Sequence, residues 1–230
     1  MKYLTKALLL VITLCVPFFL LMGSIKILIS PSFLHFEYSL PNFPADDFGF
    51  TKAERLKWGI PSLKYLINNE TDDSLGNLRF EDGTAIYNER ELEHMLDVRN
   101  LVKAANLAWY LVAAFLVLAG IVLWKLHKCT EYWNAVSYGG WLTFGLILAV
   151  IAGILLDFTA LFTGFHAIFF EGDTWLFFAN DTLIRLYPEK LWSDAFIYMG
   201  GFTLVGALVI IILVPRLAKK CNKRQDFPAV

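Results

Sequence analysis

Apolar residues run almost unbroken through four stretches of the chain, at about 7–29, 104–124, 141–162 and 196–214. Each is close to the ~20 residues an α-helix needs to cross a ~30 Å hydrocarbon layer. A helix is also the open-chain conformation that satisfies its own backbone polar groups in lipid. The pattern predicts four transmembrane helices. Lys2 and Lys6 precede the first run as they would in a secretory signal. That run is longer than a signal core, however, and no small-residue cleavage site follows, so it reads as an uncleaved helix.

Two long polar-rich connections, 30–103 and 163–195, separate these runs. In the first, Ala53, Leu56, Ile60, Leu63 and Ile67 recur at helical spacing, broken by Gly59 and Pro61. This predicts two short amphipathic helices at the membrane interface. Asp82-Gly83 sits between short apolar-containing stretches and predicts a hairpin turn. Asn88 followed by Glu91 matches the N-cap and third position of a capping box, opening a helix that continues into the second span. The expected fold is an all-α membrane protein. A four-transmembrane-helix bundle forms a single membrane domain, with a small mixed extracytoplasmic cap (30–103) and a loop (163–195) on its outer face.

Composition agrees. The chain is 57% hydrophobic with 20 Phe and a mean hydropathy of +0.54, which excludes disorder and an ordinary soluble domain. A net charge of −1 offers no field to recruit nucleic acid. The charges are unevenly placed: residues 31–103 and 163–195 hold 18 of the 21 acids. Lys2, Lys6, Lys125, Lys128, Arg216, Lys219, Lys220, Lys223 and Arg224 flank the opposite ends of the runs. The positive-inside rule puts both termini in the cytoplasm and both long connections outside. Cys15, Cys129 and Cys221 all fall away from the outer segments, so no disulfide framework is expected to order those segments.

The outer ionisable groups carry the candidate chemistry. His94 shares a helical face with Arg90, Glu91 and Asp97. A carboxylate one turn away can fix an imidazole's tautomer, but a solvated face of ion pairs fits the same spacing. His166 lies among phenylalanines in FTGFHAIFFEGDTWLF, either as a packed interfacial residue or as a neutral base of lowered pKa. Asp157 is the one acid within a span, either a functional candidate or a residue near the outer end that simply reaches the interface. Asp173, Asp181 and Arg185 can pair structurally across the second outer loop. Gly145, Ala149 and Gly153 form a small-residue stripe that predicts a helix contact. Trp109, Tyr110, Trp175 and Trp192 read as an outer aromatic belt. No GxSxG, HExxH or glycine-rich phosphate loop is present.

Two mixed polar-aromatic stretches, NERELEHMLDVR at 88–99 and FHAIFFEGDTWLFFANDTLIRLYPEKLW at 165–192, closely resemble the signature regions of the bacterial lipoprotein intramolecular transacylases. The resemblance extends to the four-span layout and to residues 56–75. It implies an enzyme acting on diacylglyceryl-modified lipoproteins within the membrane lipid. The sn-2 acyl chain would move to the α-amine of the N-terminal cysteine, with no cofactor and no metal. The family's two matching histidines fall on His166 and His94, and we take His166 as the proton acceptor with His94 as its partner. Arg90, Arg99 and Arg185 become candidates to stabilise the oxyanion or hold the peptide. Glu91, Asp97, Asp173, Trp175 and Asp181 become supporting residues. Two other classes fit the residues less well: a non-catalytic membrane binding or accessory protein, and a metal-dependent lipid hydrolase. If hydrocarbon begins near Ala104, His94 stands ~15 Å beyond it along a straight helix.

Overall fold

Three of the four apolar runs lie essentially within one long helix each, and the third is split between a long helix and a short one. The computed structural model describes residues 2–68, 74–170 and 172–226, so part of the 56–75 stretch lies outside the described residues. Its helices are α1 (Lys2–Leu28), α2 (Pro31–Glu37), α3 (Lys52–Ile67), α4 (Glu89–Lys125), α5 (Cys129–Leu156), α6 (Phe158–Phe169), α7 (Thr182–Leu186) and α8 (Glu189–Asp226). Four of them, α1, α4, α5 and α8, are long and apolar enough to cross a membrane. Only 11–28% of each apolar window is buried within the protein, which leaves most of these side chains for lipid.

The chain divides into two compact units. The first comprises, among the described residues, 2–25, 106–152 and 198–226. Its core joins Ile12, Val16, Ala119, Leu123, Ala135, Val136 and Val214. Apolar packing gives helices in lipid little selectivity, so close backbone approach and interhelical hydrogen bonds supply it. A Cβ added at Gly139 would lie 2.5 Å from Val16 Cβ, and one at Gly140 would lie 2.8 Å from Ile210 Cγ2. The expected contact stripe is therefore displaced: Gly145 has nothing within 4 Å of where a Cβ would stand. Ser24 and Thr203 share a buried hydrogen bond of 2.8 Å, and Trp109 Nε1 donates to Phe19 O at 3.0 Å. Cys129 and Cys221 are joined as a disulfide between the start of α5 and the last turns of α8, a pairing absent from the sequence reading.

The second unit comprises 26–105 and 153–197. The first long connection, about 70 residues, is small for a core of its own. It gains one by combining with the second connection. Trp58, Tyr65, Leu75, Ile86, Tyr87 and Met95 pack with Leu183 and Leu186, while Leu34, Tyr38 and Leu63 pack with Leu191.

Three expectations change here. Residues 52–67 form one helix, not two. A proline removes a backbone donor and crowds the preceding turn. In that turn two buried carbonyls also meet hydroxyl donors. Ser62 and Tyr87 donate to Trp58 O at 2.9 and 3.2 Å, and Tyr187 donates to Gly59 O at 2.8 Å. The third span ends at Leu156, and Asp157 is the N-cap of α6, accepting from Ala160 N at 2.9 Å. Its carboxylate is thus a local helix start rather than an intramembrane functional acid. The mixed character of the cap reduces to one isolated antiparallel bridge between Arg79 and Ala85, the only β pairing among the described residues. Its turn is the expected Asp82-Gly83. Gly83 has φ +86°, and Asp82 Oδ1 accepts from Thr84 N at 2.9 Å.

The start of α4 is as predicted. Glu91 N donates to Asn88 Oδ1 at 3.0 Å, and Asn88 N donates to Glu91 Oε2 at 2.8 Å. Both halves of the capping box are present, and the helix continues unbroken into the second apolar run.

Candidate active site

The second unit brings His94 and His166 together. His94 is carried by the first turns of α4, ten residues before the apolar run at 104–124. His166 is carried by the last turn of α6, whose start is set by the Asp157 cap. Their ring centroids are 6.2 Å apart with an interplanar angle of 24°. Phe170 lies against both rings, at 5.0 Å from His94 and 5.5 Å from His166. Phe177 closes on His94 at 5.3 Å, and Phe162 and Phe165 close on His166 at 4.2 and 5.6 Å.

This aromatic box sets the charge state. An apolar setting disfavours a charged imidazole. Burial pushes His94 down to about 4, and the neighbouring His166 pushes it further in the same direction. Burial also lowers His166, against an opposing hydrogen bond to Phe162 O. Both rings are therefore neutral at pH 7. His166 Nδ1 lies 2.8 Å from Phe162 O. A carbonyl only accepts, so Nδ1 carries the proton and Nε2 presents a bare lone pair. His94 Nδ1 is buried with no hydrogen-bond partner.

The remaining expected residues take definite places. Glu91 is 1% exposed, and its carboxylate is spent on backbone: Asn88 N at one oxygen and Leu183 N at the other, 2.7 Å away. It fixes α4 to α7 and does not orient His94. Asp97 is exposed. The carboxylate-oriented reading of His94 is thus replaced by one in which phenylalanines hold the ring. Asp181 accepts from Asn88 Nδ2 at 3.0 Å, Arg90 at 3.1 Å and Phe178 N at 2.8 Å, which pins Arg90 over the Phe177 and Phe178 rings. Arg99 is buried over the Tyr65 ring, 4.4 Å from its centroid. Arg185 pairs with Asp46 at 3.0 Å and lies over Phe50, 3.5 Å from its centroid. Asp173 is exposed, so the expected pairing of Asp173, Asp181 and Arg185 is instead Asp181 with Arg90 and Arg185 with Asp46.

Trp175 stands apart from the other belt residues. Its ring stacks on His166 with centroids 4.9 Å apart and 29° between planes. Sequence reasoning missed Asp46 and the box formed by Phe162, Phe170 and Phe177. Only the density of phenylalanines around His166 hinted at that box. Among the described residues, no three His, Cys, Asp or Glu side chains gather closely enough to hold a metal ion.

A family model described as lipoprotein intramolecular transacylase Lit matches residues 10–192, which include both histidines. The chain belongs to this family. It is a membrane-integral acyltransferase, a lipoprotein intramolecular transacylase. Its similarity to an uncharacterised protein of Aquifex aeolicus (strain VF5) is 28% identity over 208 residues, covering 90% of this chain and 92% of that one. Its fold is similar to the in meso structure of the lipoprotein intramolecular transacylase Lit from Bacillus cereus. That match has a TM-score of 0.80 and 21% identity, covering 97% of this chain and 100% of the other. A histidine-to-arginine variant of the same protein matches with a TM-score of 0.74 and 22% identity, covering 98% and 96%.

Proposed function

We propose that this transacylase performs an O-to-N acyl shift within a single diacylglyceryl lipoprotein. The sn-2 acyl chain passes from its glycerol oxygen to the α-amine of the N-terminal cysteine, leaving an N-acyl, S-monoacylglyceryl (lyso) product. The site faces the extracytoplasmic side of the cell membrane, with both termini in the cytoplasm. The observation that carries the reading is the pair of neutral imidazoles, 6.2 Å apart, with His166 Nε2 left as a bare lone pair.

The chemistry needs what this pair offers. An α-amine of reference pKa ~7.7–8.0 is largely protonated at neutral pH and must lose a proton to attack. His166 Nε2 accepts a proton from the attacking amine. The resulting imidazolium sits among phenylalanines that disfavour its charge, so it gives the proton up readily to the departing sn-2 oxygen. His94, one ring away and itself held neutral by burial and by its His166 neighbour, offers a second proton site. Donor and acceptor belong to one molecule, so holding them in a near-attack geometry supplies much of the remaining acceleration.

The test is mass spectrometry of lipoprotein N-termini from cells, and of a diacyl lipopeptide treated with purified protein. His166→Ala and His94→Ala should each lower lyso-product formation by ~10²–10⁴-fold while leaving the protein in the membrane. The double variant should be little worse than either single one if the rings act as a unit. Normal product from His166→Ala would remove that ring from the mechanism. Product lacking N-acylation, made in a chelator-sensitive reaction, would instead indicate a metal-dependent hydrolase.

A further inference from the structure

Buried indole N–H groups ordinarily find an acceptor. Trp109 does so in the other unit, donating to Phe19 O at 3.0 Å. Trp175 does not. Its Nε1 is shut off from solvent and has no hydrogen-bond partner, although its ring stacks directly on His166. The neighbours of that stack on α6 are phenylalanine rings, which bring no acceptor to the indole edge.

The chemistry of the missing partner is narrow. An indole N–H donates and cannot accept, and it carries no charge at any working pH. It therefore complements an oxygen rather than an ammonium. Thr174 Oγ1, beside it in the chain, is also buried and unpartnered, but a hydroxyl takes either role and does not discriminate. The three arginines expected to meet an oxyanion are engaged elsewhere. Arg90 is paired with Asp181, Arg99 lies over Tyr65, and Arg185 is clamped to Asp46.

We propose that Trp175 Nε1–H is the oxyanion donor of the reaction, aimed at the carbonyl oxygen of the sn-2 ester. This rests on the acyl-shift reading above. As the amine nitrogen bonds to the ester carbon, the C=O π pair moves onto oxygen and the indole N–H shortens its hydrogen bond to the new oxyanion. The amine's proton goes to His166 Nε2. On collapse the C=O bond re-forms, the bond from the acyl carbon to the sn-2 glycerol oxygen breaks, and that oxygen takes the proton. The indole returns unchanged. A neutral donor suits this site, because a fixed cation beside His166 would oppose the proton it must accept. Preorganised donors of this kind act on developing charge and hence on kcat rather than on ground-state binding.

The experiment uses the full-length purified protein with a diacyl lipopeptide, comparing the parent, Trp175→Phe and His166→Ala. A further form carries 3-benzothienylalanine at position 175, which keeps the bicycle and exchanges N–H for sulfur. Both position-175 replacements should lower kcat by ~10²–10³-fold. KM should stay within about threefold and the melting temperature in detergent close to the parent's. Parent-like kcat in the benzothienyl form would overturn the proposal, as would a loss confined to KM. If His166→Ala is inactive while the benzothienyl form is normal, only this inference fails. If His166→Ala is fully active, the acyl-shift reading itself fails.

Discussion

At the scale of single residues, the burial of His94 and His166 makes a statement about pH. A histidine with a lowered pKa stays neutral, and so able to accept a proton, above its folded value and loses that capacity only below it. For His94 the loss falls near pH 4 rather than near 6.5. The group that titrates near neutrality is then the substrate's own amine, at about 7.7–8.0. The plot of kcat/KM against pH should rise about tenfold per unit from pH 6 to 7 and level off near 8. A plateau already reached at pH 7, with a limb near 6.5, would mean that an ordinary solvated histidine limits the reaction. The two histidines were legible in the sequence because they sit in family-like motifs; the reason they are neutral was not. Phe170 is four residues from His166, yet Phe177 meets His94 from another segment altogether. Glu37 shows the same limit. It is fully buried at the end of α2 and pushed up to about 7 by burial and by Asp194 of α8. Nothing near Glu37 in sequence announces that neighbour.

Elements were readable where their signals are local. The Asn88–Glu91 box and the Asp82-Gly83 turn each close within three residues, and both are found as expected. Asp157 also acts locally, but only once the chain breaks between α5 and α6, and the apolar run across that break hides it. Pro61 misled in the other direction: α3 runs through it, and the turn before it is packed by the hydroxyls of Tyr87 and Tyr187 from distant positions. Helix contacts were the least readable. A small residue matters only if a partner helix reaches it, and Gly139 is reached by Val16 whereas Gly145 is not. Gly139→Ala should therefore destabilise the first unit by roughly 1–3 kcal/mol through overpacking. Gly145→Ala should be neutral or slightly stabilising, since alanine is the better helix former. Melting of the two variants in detergent checks this, and equal behaviour would contradict the assigned contact.

At the scale of the whole molecule, four spans were legible because hydropathy integrates over ~20 residues and no tertiary detail can reverse it. What sequence could not reveal is how the two long connections build one core, since their pairings join residues about 90 to 150 positions apart. Thr182 Oγ1 donates to Ile86 O at 2.6 Å and Tyr38 to Leu186 O at 2.6 Å, which makes the second connection integral to the cap. The orientation rests on the charge distribution and has a direct test. In a background without the native cysteines, a membrane-impermeant thiol reagent on intact cells should label Thr84→Cys and spare Asn134→Cys. Both positions are exposed on the protein surface. The reverse pattern would place the histidine pair on the cytoplasmic face.

The contact between Trp175 and His166 also makes the site visible to light. A photoexcited indole passes an electron readily to an imidazolium and poorly to a neutral imidazole. With rings stacked 4.9 Å apart, the emission of Trp175 is tied to the charge of His166. The difference spectrum between the parent and Trp175→Phe, followed as the solution is acidified, should dim as His166 takes up its proton. The enzyme thus carries its own probe of the charge on His166, readable without substrate and without labelling.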